Sequence, residues 1–370
     1  MANVSLIFDG NYFFYKTLFI FGGYSGNGGK TLESQQDQEM FIRKIATDMT
    51  HAIRAFGNPS RIIFTIDSKS WRKEIEIEDG GYKTNRDKGD SPIDWDSFYK
   101  CMNEFAIVLK KKGFIVSKEE RAEGDDLMFL WADELYKNGE DSIIITGDKD
   151  LTQCVKCNGK NYVVVYNPNS KSRKLVAPKG FTEWLKAEEY DLFDASTFMN
   201  RSKDLIAEAA NSVPVEEIDE DYLIFEKVII GDAGDTVPPI WTWESKGKTF
   251  RITPAKAARI YEIVNAMKPI GDIYELPNRA TEISNAINAV CKQIAPAEVL
   301  KPRIERNLKL VYLNQRIIPE SIVKAWAESY SNDSPKMLSA HAYDMNYILE
   351  GTRFISAGRT FEADIFSKFK

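Results

Sequence analysis

Nine carboxylates stand out by their spacing: Asp9, Asp67, Glu123, Asp125, Asp126, Asp148, Asp150, Asp232 and Asp235. They close the runs Val4-Ser5-Leu6-Ile7-Phe8-Asp9 and Ile62-Ile63-Phe64-Thr65-Ile66-Asp67, and they fill Glu123-Gly124-Asp125-Asp126, Gly147-Asp148-Lys149-Asp150 and Gly231-Asp232-Ala233-Gly234-Asp235. Hard cations such as Mg²⁺ take oxygen ligands and keep several waters. Two such ions about 3.5–4 Å apart can clamp the attacking and leaving oxygens of a phosphodiester, an arrangement that needs many acids converging from distant positions. Without cations, so many anions in one dry site would repel one another strongly. Each cluster alone has an ordinary explanation, as turn residues or as acids in a helix's first turn. The ordered set does not. Histidine chemistry has little to draw on, because His51 and His341 are the only two histidines and neither sits in a ligand motif.

Strands must deliver these acids. Val4–Phe8, Arg61–Ile66, Phe114–Ser117 and Ser142–Thr146 are short apolar runs, each followed at once or closely by acids. Helical spacing of apolar residues runs through Gln38 to Phe56, Trp95 to Leu109 and Asp125 to Tyr136. Strand–helix alternation with continuous apolar strands predicts an α/β fold: a central, mostly parallel sheet flanked by helices, with its ligands beyond the carboxyl ends of the strands. Tyr162–Tyr166 and Arg173–Val176, joined through Asn167-Pro168-Asn169-Ser170, read as a hairpin. Beyond about residue 200 the pattern turns helical without further strong strand runs. The expected division is a sheet-centred core over 1–202 and a helical C-terminal region over 203–370.

The bulk numbers agree. The 370 residues are 43% hydrophobic and 12% aromatic, as in a globular protein. No apolar run approaches the roughly 20 residues of a membrane span, and the start MANVSLIFDG reads as an early strand, not a leader. A soluble, cytoplasmic chain is expected. Cys154-x-x-Cys157 has zinc-knuckle spacing but lacks a second ligand pair, so Cys101, Cys154, Cys157 and Cys291 are expected to be reduced thiols. Lys and Arg total 49 against 55 acids, a net charge of −6; without the nine candidate ligands 46 acids remain and the balance becomes +3. An acidic total is therefore no bar to phosphate contacts, which need only local Lys and Arg. Gly22 to Thr31 imitates a phosphate-binding loop, but Tyr24 stands where the spacing requires glycine, so a plain loop is expected.

The ordered set Asp9, Asp67, Glu123-Gly-Asp125-Asp126, Thr146-Gly-Asp148-Lys-Asp150-Leu-Thr-Gln153 and Gly231-Asp232-x-x-Asp235 resembles the structure-specific 5′ nucleases. These are the flap endonucleases and the 5′ nuclease domain of bacterial DNA polymerase I; within the family the likeness is to the T-even bacteriophage ribonuclease H branch. Trp71-Arg72, Tyr82-Lys83-x-Asn85-Arg86, Asp94-Trp95, Tyr166-x-Pro168 and Asn307-Leu308-x-Leu310-Val311 extend it. The resemblance implies a PIN-like core and 5′→3′ exonuclease, flap endonuclease and ribonuclease H activity, with removal of RNA primers in lagging-strand replication. It implies two Mg²⁺ ions, with Mn²⁺ able to substitute: Asp9, Asp67, Glu123 and Asp125 at the first site; Asp148, Asp150 and Asp232 at the second; Asp126 and Asp235 nearby. Asp9, Asp67, Asp125 and Asp148 would then be catalytic, together with Lys83 and Arg86 of an arch or gateway segment at about 71–98. Arg72, Tyr82, Lys83, Arg86 and Lys256 would meet nucleic acid, with Tyr82 stacking on an unpaired base.

A helix–hairpin–helix-like duplex-binding element is implied at about 228–265. There the sequence departs from the family: the usual Pro-Gly turn is Pro238-Pro239, and an insertion, Trp241 to Phe250, follows. Implied partners are flap or nicked DNA and RNA–DNA hybrid, with a sliding clamp and a single-stranded DNA-binding protein. The chain is expected to be a monomer, in the host cytoplasm if it is viral. The apolar tail around Ile365, Phe366 and Phe369 is a candidate clamp-docking segment. Two other classes compete: a PIN-type endoribonuclease, disfavoured by the length, and a non-catalytic junction-binding protein, disfavoured because no expected acid is missing.

Overall fold

The apolar runs that precede the acids are strands buried on both faces: β1 (Val4–Asp9), β2 (Arg61–Thr65), β3 (Ile115–Ser117) and β4 (Asp141–Ile145). The computed structural model describes residues 4–22, 31–56, 59–78, 80–85, 93–169, 171–191, 213–333 and 344–355. The glycine-rich loop over 23–30, Arg86, His341 and the C-terminal tail lie outside the described residues. Strand order is β3-β2-β1-β4-β6-β7-β8, where β6 is Tyr162–Asn167, β7 Lys174–Pro178 and β8 Val215–Ile218. Neighbours from β3 to β6 are parallel; β7 runs antiparallel to β6, and β8 parallel to β7. A two-residue strand, β5 (Lys156–Cys157), pairs antiparallel with β6. The fold is thus the predicted central, mostly parallel sheet with helices on its faces.

The period-two alternation of the strands sorts their side chains between two cores. Leu6, Phe8, Ile62, Phe64, Ile143 and Ile145 join one core under α1 (Gly10–Gly22), α2 (Gln35–Ala55) and α3 (Trp95–Lys111). Ile7, Ile63, Ile144, Val163 and Val165 join the other, under α4 (Gly124–Lys137). Ser34 caps α2 by accepting from the Asp37 amide at 3.0 Å, and Asp94 caps α3 by accepting from Ser97 at 3.1 Å. Phe14 is the hub of the first core, with ring centroids 6.0–6.2 Å from Phe41, Phe64, Phe98 and Phe105.

α5 (Phe181–Asp191) adds Phe181 and Leu185 to the first core; the C-terminal region is α6 (Glu220–Ile230), α7 (Pro254–Met267), α8 (Ala280–Cys291), α9 (Ala297–Val311), α10 (Glu320–Asp333) and α11 (Met345–Leu349). Two expectations need correction. The sheet does not end before residue 202, because β8 is its edge strand; Val-Glu-Glu-Ile looked unlike a strand because an edge buries little of it. A hairpin, β9 (Thr242–Ser245) with β10 (Lys248–Arg251), occupies the insertion. Nor does the region fold apart from the sheet: Trp326 of α10 meets Trp131 edge-on at 5.9 Å, and Ile348 and Leu349 of α11 join the core under α2. No helix among the described residues is long and apolar enough to cross a membrane.

Replacing Phe14 by alanine should cost about 3–5 kcal/mol, the usual range for deleting a fully buried phenyl ring. Urea unfolding of the variant measures it; a loss below roughly 1 kcal/mol would mean that the cluster repacks freely.

Candidate active site

Strand order reverses direction at β1: the chain passes from β1 outward to β2 and β3, then returns to the other side of β1 as β4. The crevice beyond the carboxyl ends of β1 and β4 is therefore a topological switch point, where open α/β sheets bind ligands. Asp9 is the last residue of β1. Its carboxylate accepts from the Thr146 hydroxyl, just past β4, at 2.6 Å and from the Tyr12 amide at 2.8 Å. Asp67, two residues past β2, accepts from the Gly124 amide at 2.5 Å and the Asn11 side chain at 2.6 Å. Asn11 accepts in return from the Asp67 amide at 3.1 Å. A Cβ at Gly124 would lie 2.9 Å from the Asp67 carboxylate, so glycine is what lets the start of α4 approach it. Asp148 follows β4, its amide donating to Thr146 at 2.9 Å while its carboxylate accepts from the Asp150 amide at 2.9 Å.

The loop Gly231–Val237 brings the last two acids. Gly231 turns the chain at φ 73°, where a Cβ would meet the Val237 carbonyl at 2.3 Å. Asp232 and Val237 then exchange backbone bonds of 2.9 and 2.8 Å. Asn307, fully buried in α9, donates to the carbonyls of Val228 and Pro238 at 2.8 Å each and fixes the loop against the helices.

The electrostatics divide the acids in two. Burial pushes Asp9 up to about 7 from the ordinary 3.8, with Asp67 and Asp148 adding to the rise and the Thr146 and Tyr12 bonds opposing it. Burial likewise pushes Asp67 up to about 6, aided by Glu123 and Asp126. Asp125 is driven well above the aspartate range by burial, then by Asp148, Asp9 and Glu123. These three acids, with Asp148, are short of positive charge, and Lys83 offsets only part of the rise at Asp67 and Asp125. The second group has cations of its own. Lys227 of α6 pairs with Asp150 and lies 3.1 Å from Asp232. Burial would raise Asp232, but Lys227 outweighs it and holds that acid low; Asp150 stays raised, by burial, then Asp148 and Asp232, with Lys227 opposing.

Lys83 lies 2.5 Å from Glu123 and 3.7 Å from Asp235. Its backbone sits at φ 58° and its amide donates to the Asp235 carbonyl at 2.9 Å, so the segment is docked on the Gly231–Val237 loop. Against the upward push of burial, Arg72 and Lys83 together hold Glu123 below the usual range.

Three expected roles are corrected by position. Arg72 is 2% exposed; it holds Asp126 through two bonds of 2.7 and 3.0 Å and Glu123 at 2.8 Å, leaving no face for nucleic acid. Asp126 is fully buried and spends its carboxylate on Arg72, on the Trp71 indole at 3.0 Å and on the Glu123 amide at 3.2 Å, so it is no cation ligand. Tyr82 is 5% exposed, packs in the C-terminal core, and its hydroxyl donates toward the carboxylates of Glu123 at 3.3 Å and Asp235 at 3.1 Å, so it has no open face for a base. Lys256 is half-buried with its ammonium 5.1 Å from the centre of the Trp243 ring. Asn11, Thr146 and Lys227 hold the site and were not singled out from sequence; Asn11 and Thr146 flank the first strand ends, whereas a lone lysine in the apolar run Tyr222–Ile230 carries no signal.

Oxygen-only donors short of positive charge fit a hard divalent cation. Among the described residues no three Asp, Glu, His or Cys side chains already meet as a ready-made cage. The carboxylates are held by Thr146, Gly124, Asn11, Lys83 and Lys227. Cys154 and Cys157 are not joined in a disulfide.

Sheet and crevice together define a parallel α/β protein with an acid-lined, cation-seeking switch point. Residues 4–186, just under half of the chain, match the family described as the 5′-3′ exonuclease, N-terminal resolvase-like domain. Similar solved structures include the bacteriophage T5 5′-exonuclease with zinc bound, at 15% identity and a TM-score of 0.49, covering 90% of this chain and 99% of that one. Another is the bacteriophage T5 flap endonuclease in a pseudo-enzyme–product complex with DNA and metal ions, at 16% identity and 0.49, covering 90% and 100%. No curated protein sequence matches the chain.

Two predictions follow from the charges. Asp9 and Asp67 bind protons more tightly folded than unfolded, so between about pH 4 and about 7 the folded state holds the extra protons and stability falls as pH rises. In chelator, the melting temperature should fall across that window, Asp9→Asn should flatten the fall, and Mg²⁺ should restore stability at neutral pH; a profile unchanged by Asp9→Asn would refute the assignment. Arg72→Gln leaves two buried acids without their partner and should cost about 3–5 kcal/mol in urea unfolding, whereas a surface phosphate contact would change stability by no more than roughly 0.5 kcal/mol.

Proposed function

We propose that the chain is a divalent-metal-dependent phosphodiesterase of the 5′ nuclease type, acting on 5′ flaps, nicks and RNA–DNA hybrids. The observation that carries this reading is the meeting of Asp9, Asp67, Asp125 and Asp148 in one crevice with their charges unbalanced. The family of residues 4–186 supplies the reaction class.

Asp9, Asp67, Glu123 and Asp125 would hold one Mg²⁺, and Asp148, Asp150 and Asp232 a second, with Asp235 nearby. When bound, such ions lower the pKa of water and polarise a phosphate. The chain's own residues set the stage. Thr146 and Asn11 fix the rotamers of Asp9 and Asp67 with bonds of 2.6 Å each. Lys83 stands at the mouth among Glu123 and Asp235, where an ammonium can grip a substrate phosphate once cations relieve it of those acids. Arg86 is proposed to join it from the gateway segment. The sheet-centred core, 1–202 with β8, would cut, while the helical remainder up to residue 370 would hold duplex. Primer removal in lagging-strand synthesis is the role this chemistry would serve, with a sliding clamp and a single-stranded DNA-binding protein as companions.

The test is cleavage of a 5′-labelled flap and an RNA–DNA hybrid in Mg²⁺ and in EDTA. EDTA should abolish cutting, and Asp148→Asn should bind both substrates yet lose at least about 100-fold in rate. Full activity of Asp148→Asn would remove the two-metal assignment.

A further inference from the structure

The acids of the crevice are held by two kinds of donor. Asp9 and Asp67 are fixed by neutral groups: the Thr146 hydroxyl and the Tyr12 amide on one, the Gly124 amide and the Asn11 side chain on the other. A carboxylate offers about four lone-pair sites, so it can keep such bonds and still accept a cation. Asp150 and Asp232 share a charged donor instead. The Lys227 ammonium pairs with Asp150 and lies 3.1 Å from the Asp232 carboxylate.

Lys227 is held firmly at its root and loosely at its tip. It stands in the last turn of α6, among Ile224, Phe225, Val228 and Ile229, all buried in the C-terminal core. Its side chain is 19% exposed and reaches from the helix toward the sheet, where Asp150 opens the short helical turn Asp150–Cys154. Asp232 comes to it on the Gly231–Val237 loop. Lys83, the other ammonium in the crevice, pairs with one acid of the first set, Glu123, at 2.5 Å and lies 3.7 Å from Asp235. Lys227 engages two of the three acids assigned to the second ion.

We propose that Lys227 is a tethered counter-ion that competes with the second divalent cation for Asp150 and Asp232. An ammonium and a divalent ion on the same two carboxylates repel each other, so Lys227 must swing toward solvent for that ion to bind. The lysine therefore weakens the second site and leaves the first untouched. Filling of the second site is thereby moved to a higher range of free cation than filling of the first. The proposal rests on the two-ion reading of the acids.

The test is calorimetric titration of the full chain with Mg²⁺, for the parent protein, Lys227→Met and Lys227→Gln. Methionine keeps the stem and removes the charge; glutamine removes the charge and keeps an N–H donor for the acids. Each variant should bind the weaker ion about 10-fold more tightly, within the usual range of coupling between two ligands, with the tighter ion unchanged. Adding Asp150→Asn to Lys227→Met should remove the gain, which assigns it to the second site. Mg²⁺ should also raise the melting temperature of Lys227→Met by more than that of the parent, because tighter binding to the folded state stabilises it more. A weaker phase unchanged or loosened in either variant would overturn the proposal, since a lysine that only ties α6 to the sheet leaves ion affinity level or lowers it when lost. Two ions bound without response to the Lys227 variants would overturn this proposal alone. Failure of parent and variants alike to bind Mg²⁺ would overturn the two-ion reading and this proposal with it.

Discussion

Mutual repulsion among converging carboxylates is the constraint around which this molecule is organised. Asp9, Asp67 and Asp148 arrive at one sheet edge because parallel strands all end there, Asp125 joins them from the first turn of α4, and nothing in the strands themselves offsets their charge. The protein holds them with neutral donors, the Thr146 hydroxyl, the Gly124 amide and the Asn11 side chain, which fix position without cancelling charge. Where full cancellation would do no harm it is built in, as in the Arg72 pairing with Asp126.

The two halves of the chain are joined by groups that serve this edge. Asn307 and the Gly231 turn hold the Asp232–Asp235 loop, and Lys227 ties that loop to Asp150 across the gap between α6 and the sheet. Gln153 adds a second tie, donating to the Val311 carbonyl at 3.1 Å and accepting from the Leu313 amide at 2.9 Å. The C-terminal helices thereby become part of the machinery that sets distances in the crevice.

Much of this was legible in the residues. The apolar runs ending in acids are the central strands, and the helical spacings correspond to α2, α3 and α4. What failed did so for physical reasons. Val215–Ile218 is an edge strand, so its alternation is masked by two glutamates. The ribbon Thr242–Arg251 does alternate around Lys246-Gly247, yet a Lys-Gly pair is a weak turn signal beside Asn-Gly. Arg72 and Tyr82 sit in a basic stretch that sequence reads as a binding surface; only the tertiary placement of Glu123 and Asp126 turns them inward. Lys227 was invisible because its partners come from a distant strand end and from the next loop.

The edge strand β8 has one more implication. It arises from sequence after residue 213, crosses to cover β7, and α10 and α11 return to cover both faces of the same sheet. A fragment trimmed to the first two hundred residues would therefore bare a strand edge and the Trp131 surface at once. Exposed ladders of that sort recruit other chains, so a chain shortened in this way would be prone to aggregate.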